Sequence, residues 1–316
     1  MLTTLAREAA ASSRLATRVL VGEGVPFVPP LGVDLVRVPR GRELAGLATA
    51  AAASDWLILV APETAGILEQ RLRRVAGSSC RVAGPSPAFA ALTADKHATM
   101  LTLAGSGVPV PAGRLLASGE RPPAAFRRPM VRKHRRSAGC DGLRVVWEQA
   151  TTGEPAAHEE RLEAYVAGVP ASVSLVCGPA GITPLPPVMQ RLSEGPSPAY
   201  LGGRMPVPCP LARRATSLAV RAVEAVVRGL QAEASEPTPA CGWVGVDMIL
   251  GDRDDGRGDR VLEINPRLTT SLVGLVQWST ENLVEAMLTA AAGGVPRLGF
   301  REVTDGPFEF AAALPC

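Results

Sequence analysis

The stretch Val261-Leu262-Glu263-Ile264-Asn265-Pro266-Arg267 sets the reading of this chain. In an extended segment, side chains at alternate positions share a face. Glu263, Asn265 and Arg267 therefore point together, while Ile264 points into apolar surroundings. Upstream, Gly242-Trp243-Val244-Gly245-Val246-Asp247-Met248-Ile249-Leu250 reads as a second strand, and the Asp/Gly/Arg-rich segment from Gly251 to Asp259 as the turn that folds it back. Pairing Leu250 with Arg260 places Asp247 opposite Glu263. Like charges directly opposite on one sheet face are destabilising, and a divalent cation between them relieves the repulsion. Carboxylates and an amide oxygen are hard ligands suited to Mg²⁺, with substrate phosphates completing the octahedron. Asp247, Glu263 and Asn265 are thus the candidate metal ligands; the alternative makes Glu263 a rim residue and Asn265-Pro266 a helix or turn start.

At 316 residues the chain exceeds a typical single domain and predicts two or three subdomains with ample core. Its hydrophobic residues (47%) are mostly Ala, Val and Leu with only 4% aromatics, which points to helix-on-sheet cores closely packed by small residues. A net charge of +3, from 33 basic and 30 acidic residues, argues against a nucleic-acid or membrane surface. The dense basic cluster Arg127-Arg128 with Arg132-Lys133-His134-Arg135-Arg136 is local. Cys80, Cys140, Cys177, Cys209, Cys241 and Cys316 show no metal or disulfide spacing, so reduced thiols in a cytoplasmic protein are expected. Arg7, Arg14 and Arg18 interrupt the N-terminal apolar stretch, which predicts a first amphipathic helix rather than a targeting peptide. No run is long and apolar enough to span a bilayer.

The first ninety or so residues alternate as α/β: strands near Arg18–Val21 and Asp34–Val38, an Ala-rich helix from Glu43 to Ala53, and the apolar run Trp56–Val60, of the kind buried in a parallel sheet. That run empties into Ala61-Pro62-Glu63-Thr64 before a helix from Ile67 to Ala76. Ligands in open α/β sheets bind beyond the carboxyl ends of strands, so Glu63 can meet a substrate group; alternatively it is an acid favoured by a helix N-terminus. Further on come a helix from about Ala94 to Ala104, strands at Pro129–Lys133 and Leu143–Trp147, and a strand within Glu160–Val176 broken at Gly168-Val169-Pro170 before the alternating Ala171–Val176. A Pro-rich irregular stretch spans Pro184 to Pro210, a long amphipathic helix Leu211 to Glu233, a linker Glu236 to Pro239, and a last helix about Asn282 to Ala292.

Lys133 precedes the small-residue loop Ser137-Ala138-Gly139-Cys140-Asp141-Gly142 between two strands. Backbone N–H groups of such a loop can cover phosphate oxygens while the lysine neutralises them; the cluster could equally be a solvated edge strand. Lys96 lies in the first turn of its helix, where the dipole disfavours a cation unless an anion is bound. Its alternative is an exposed lysine paired with Asp95.

Taken in order, Asp95-Lys96 before a helix and Gly-Val-Pro, Lys133 with its loop, Glu163-Ala164-Tyr165-Val166 before Gly168, Asp247, and Glu263-x-Asn265-x-Arg267 resemble the ATP-grasp superfamily over roughly residues 93 to 280. The resemblance implies a mixed α/β and α+β fold. Residues 1–92 would form an N-terminal parallel-sheet (pre-ATP-grasp) domain, 93–166 a small lobe with the phosphate-covering loop, and 167–316 a large lobe with the metal site. By the same resemblance Lys96, Lys133, Ser137 and Gly139 bind the phosphates, and Glu163, Tyr165 and Val166 belong to the hinge that reads the adenine edge through backbone groups. Asp247, Glu263 and Asn265 hold Mg²⁺ or Mn²⁺, and Arg267 contacts a carboxylate or bicarbonate substrate. Two positions depart from D-alanine ligases: Pro170 replaces the ribose-binding acid and Gly245 an arginine, leaving the ribose contact unassigned.

A narrower likeness rests on Ala61-Pro62-Glu63-Thr64, Ser172-Val173-Ser174-Leu175, Gln190 and Tyr200-Leu201-Gly202-Gly203-x-x-Pro206. These look like the tyramine/glutamate ligase group of methanofuran-type cofactor synthesis. The likeness implies substrate contacts at Glu63, Tyr200, Gly202, Gly203 and Arg267, and catalytic roles for Arg267, Lys133 and Arg204. The expected activity is ATP-dependent ligation of a small carboxylate to an amine through an acyl phosphate, with a homodimer through the first domain. The alternatives are a dipeptide ligase, a carboxylase- or kinase-like use of the pocket, or an ATP-binding regulatory protein without turnover.

Overall fold

The computed structural model describes residues 1–123, 126, 129–147, 154–233, 240–303 and 306–312. Its N-terminal part alternates α1 (Leu2–Ala10), β1 (Thr17–Gly22), β2 (Val33–Val38), α2 (Glu43–Ala52), β3 (Trp56–Leu57), α3 (Ile67–Val75), β4 (Arg81–Val82), α4 (Pro87–Ala94) and α5 (Lys96–Gly105). β1 pairs with β2 and β3 with β4, each in parallel. The run Trp56–Val60 is not the continuous sheet strand expected: only Trp56 and Leu57 enter a ladder, and the two strand pairs stay apart. Beyond Leu57 the run divides its side chains between two cores. Ile58 and Val60 pack with Leu5, Leu283 and Met287, whereas Leu57 and Leu59 pack with Leu47 and Val75. A cavity of about 490 Å³, lined by β1 and β3, lies between the pairs.

The helix expected from about Ala94 to Ala104 is α5, starting at Lys96, and a further, unexpected helix, α4, precedes it and ends at Ala94. Ser86 accepts from the Phe89 N–H at 3.1 Å with Pro87 in the first turn, starting α4. Asp95 Oδ1 accepts from the N–H groups of His97 and Ala98 at 3.1 Å, starting α5.

Next, β5 (Gly113–Leu116), β6 (Met130–His134), β7 (Arg144–Val146) and β8 (Glu160–Ala164) form an antiparallel sheet in the order β5-β8-β6-β7. The larger lobe comprises β9 (Val169–Gly178), β10 (Gly181–Pro184), β11 (Val188–Leu192), β12 (Tyr200–Met205), α6 (Cys209–Glu233), β13 (Gly242–Leu250), β14 (Arg260–Asn265), α7 (Ser271–Trp278), α8 (Leu283–Ala291) and β15 (Phe308–Ala311). Its antiparallel sheet runs β14-β13-β9-β11-β12-β15, with β10 beside β9.

β9 starts at Val169 rather than after Pro170; it lies inside the sheet, and it is buried on both faces because helices cover both sides. Its odd-numbered residues Ala171, Val173 and Leu175, with Val244, Val246 and Met248 of β13, meet α6 through Ala215, Leu218, Ala219, Ala222 and Val223. The alanines bring the helix close, and each buried Leu or Val stabilises by about 1.5–3 kcal/mol. The opposite face packs Val176, Trp243, Val188 and Met205 on α7 and α8.

The Pro184–Pro210 stretch, expected to be irregular, holds β11 and β12. The Glu236–Pro239 linker and Arg127-Arg128 lie outside the described residues. Among the described residues no helix is long and apolar enough to cross a membrane.

Candidate active site

Asp247 of β13 stands opposite Glu263 of β14. The register nevertheless differs from the expected pairing, because Ile249, not Leu250, faces Arg260. A bulge beside Asp247 takes up the difference and leaves Leu262 without a ladder partner. The Leu262 carbonyl accepts instead from Lys133 Nζ at 3.0 Å. Sequence pattern could not show this, since bulges conserve the alternation on either side.

Asp247 is held from two directions, by Gln190 Nε2 on Oδ1 at 2.8 Å and by Asn265 Nδ2 on Oδ2 at 2.9 Å. Burial, then the charge of Glu263, pushes its carboxyl up to about 7, against the pull of Asn265, Arg267 and Gln190. Two carboxylates so placed are a site that a cation completes. Among the described residues no group of three or more His, Cys, Asp or Glu side chains could hold a metal ion. An ion at Asp247 and Glu263 would therefore draw further ligands from phosphate oxygens and from Asn265 Oδ1, which here accepts from Arg267 while Nδ2 faces Asp247. That donor set fits Mg²⁺.

Both lysines reach this centre, and both are buried. Lys96 Nζ lies 2.8 Å from Glu263 Oε1 and also donates to the Ser137 carbonyl. It is neither exposed nor paired with Asp95, which is taken by Arg135 at 2.6 Å and Arg136 at 3.2 Å. Lys133 Nζ lies 2.8 Å from Glu163 Oε2, whose other oxygen accepts from Arg161 Nε at 2.5 Å. The Glu163 side chain is thus buried in an ion triple, which leaves the hinge its backbone groups. Tyr165 N–H is likewise committed, donating to the Pro129 carbonyl at 3.2 Å.

In the loop, Ser137 braces from inside: its Oγ donates to the Asp141 carbonyl at 3.1 Å. Gly139, at a φ of 65° that favours glycine, lines the cleft. The Ala138 N–H donates to Thr64 Oγ1 at 3.1 Å, which ties the loop to the N-terminal part.

A cleft of about 490 Å³ joins these groups, lined by Lys96, Lys133, Gly139, Asp247, Glu263, Asn265 and Arg267. Tyr165, Val166 and Tyr200 line it too. Burial, then Asp247, pushes the Tyr200 phenol up, so it stays protonated and able to donate. At the mouth the Trp147 and Tyr165 rings stand 5.1 Å apart. Trp147, Gln190 and Thr64 are participants to which the sequence assigned no role; Gln190 and Thr64 lie in the segments that carry the narrower likeness, and Trp147 is an aromatic closing a strand in an aromatic-poor chain.

Arg267 Nε donates to Glu63 Oε2 at 2.6 Å, and its Nη2 to Asn265 Oδ1 at 3.3 Å. Glu63 is buried, its Oε1 has no hydrogen-bond partner, and it does not line the cleft. Its carboxylate serves Arg267 and makes no helix-capping hydrogen bond.

Three expected substrate or catalytic residues lie elsewhere. A Cβ on Gly202 would meet the Phe310 carbonyl at 2.0 Å, and one on Gly203 would meet Val188 at 2.3 Å. The paired glycines therefore let β12 lie against β15 and do not form a substrate approach. Arg204 is exposed and pairs with Met189 and Glu309 in the ladder, on the sheet face away from Gln190 and Asp247.

With this geometry in hand, comparison places the chain. The ATP-grasp domain matches residues 93–271, more than half of the chain, and the pre ATP-grasp 3 domain matches residues 25–88. The chain belongs to the ATP-grasp family. A search of curated proteins found no match. N5-carboxyaminoimidazole ribonucleotide synthetase from Thermotoga maritima is similar in fold (TM-score 0.67, 20% identity, 95% of this chain and 75% of that one). So are the L-amino acid ligase from Bacillus licheniformis (0.68, 14%, 91% and 71%) and D-alanine–D-alanine ligase from Bacillus anthracis (0.60, 16%, 88% and 98%). At such identities the likeness speaks for the fold.

Proposed function

We propose that this protein is an ADP-forming carboxylate–amine ligase. A substrate carboxylate oxygen attacks the γ-phosphorus of ATP, and ADP leaves with the bonding pair, giving an acyl phosphate. The amine nitrogen then adds to the acyl carbon, sheds a proton, and phosphate leaves as the amide forms. The observation that carries this reading is the Asp247–Glu263 pair, with Asp247 raised to about 7, flanked in one cleft by two buried lysines.

Such chemistry is positioning and charge neutralisation. A bound divalent ion, held by Asp247 and Glu263 with Asn265, would supply charge at the phosphates. Lys96 and Lys133 carry further positive charge to the same place, and Arg267 steadies the acyl oxygen beside them. The Tyr200 hydroxyl remains a donor toward the substrate end of the cleft. Fold neighbours include two that bear amino-acid ligase names, one for L-amino acids and one for D-alanine, which accords with amide formation, alongside others that bear carboxylase and carboxyaminoimidazole ribonucleotide synthetase names. The narrower reading is ligation of glutamate to tyramine or tyrosine, as in methanofuran-type cofactor synthesis. It rests on the Glu63, Gln190 and Tyr200 segments.

The test is a panel of amino acids and amines, tyramine, tyrosine and glutamate included, scored by ADP release and product mass. Amine-dependent ADP release with an amide product is expected, and Glu263→Gln should lower it by at least ~10²-fold. Nucleotide binding without turnover on any pair would leave a regulatory protein instead.

A further inference from the structure

Lys96 enters the cleft from a costly position. It is the first residue of α5, where the helix dipole opposes a cation, and it is only 3% exposed. Asp95, its neighbour in sequence, is already occupied by Arg135 and Arg136. What holds the ammonium is Glu263 Oε1 at 2.8 Å together with the Ser137 carbonyl of the phosphate loop. The remaining groups are committed in the same way: Lys133 to Glu163 and the Leu262 carbonyl, and Ala138 N–H to Thr64. The phosphate-binding groups of the free protein are satisfied from within, and one of them sits on a candidate metal ligand.

We infer that Lys96 is the built-in cation of this site, occupying Glu263 until nucleotide phosphates draw it off, so that metal is admitted with nucleotide and refused alone. An ammonium in contact with Glu263 and a divalent ion on the same carboxylate repel each other strongly in a cleft of low dielectric. Phosphate oxygens give the three N–H donors of Lys96 new acceptors. Its departure also frees the Ser137 carbonyl, coupling metal entry to movement of the loop. This inference rests on the ligase reading only for the presence of a metal–nucleotide complex in the cleft.

The probe is Mn²⁺, read as loss of the free-ion electron paramagnetic resonance signal, with and without a non-hydrolysable ATP analogue. The wild-type protein should bind Mn²⁺ at least ten-fold more tightly with the analogue than without it. Lys96→Met should bind Mn²⁺ alone at least ten-fold more tightly than wild type while binding the analogue more weakly; Lys96→Arg, which keeps the cation, should behave as wild type toward the metal. Equal Mn²⁺ binding by Lys96→Met and wild type overturns the inference. Lys96→Gln provides the same comparison if the methionine variant does not fold. Should the wild type bind no analogue, the ligase reading falls, while the comparison on Mn²⁺ alone still decides the role of Lys96.

Discussion

Asp247 concentrates the chemistry of the cleft in one side chain. Its carboxyl titrates near 3.8 ordinarily and at about 7 here, first because it is buried and second because Glu263 faces it. Between those values the folded protein holds a proton that the unfolded chain has lost. In chelator-treated protein this group therefore makes stability fall as pH rises from 3.8 to about 7, and the loss is complete above it. Thermal melts across that window should show the decline, and Asp247→Asn should flatten it. A melting temperature that instead rises with pH in the wild type and not in the variant would contradict the assignment. At Arg204 the expectation is the reverse: because its side chain faces away from Asp247, Arg204→Ala should change ADP release by no more than about two-fold.

Among the elements, β12 is the one whose role changed most between pattern and fold. Gly203→Ala drives a methyl group into Val188 and the Phe310 ring, so overpacking should cost about 1–3 kcal/mol. Denaturant unfolding should register that loss, while the KM values of the folded enzyme for the acid and the amine stay unchanged; a raised KM for either with unchanged stability would return Gly203 to the substrate site. The β13–β14 hairpin was readable because two apolar runs flank an Asp/Gly-rich turn and Asp247, Glu263 and Asn265 fall on one face. The pairing of Asp247 with Glu263 was expected from a Leu250–Arg260 register, whereas the chain reaches it from Ile249–Arg260 through the bulge at Leu262, and an extra residue leaves no mark in composition. β11 and β12 were hidden for a related reason. Gly202 and Gly203 sit where Phe310 supplies the bulk, and the prolines around them read as loop. The Trp56–Val60 run was read as one strand because all of it is apolar, and its division between two cores depends on neighbours distant in sequence.

Across the whole molecule, the N-terminal part shares an apolar core with the large lobe, and a few polar contacts link both to the small lobe and the cleft. Glu63 reaches Arg267, Thr64 reaches Ala138, and Lys133 reaches the bulge of β14. Glu63→Gln should destabilise the protein by about 2 kcal/mol, below the ~3–5 kcal/mol of a fully buried pair because Arg267 is partly open to the cleft. It should also weaken substrate carboxylate binding, seen as a raised KM for the acid with ATP affinity intact. These contacts surround the cleft in which the proposed metal–nucleotide complex would meet Asp247 and Glu263. Calorimetric titration of MgATP into wild type and Glu263→Gln tests that most directly: the account predicts saturable heat with one site per chain in the wild type and at least ten-fold weaker binding in the variant. Equal affinity in the two proteins, or no heat in either, would contradict it.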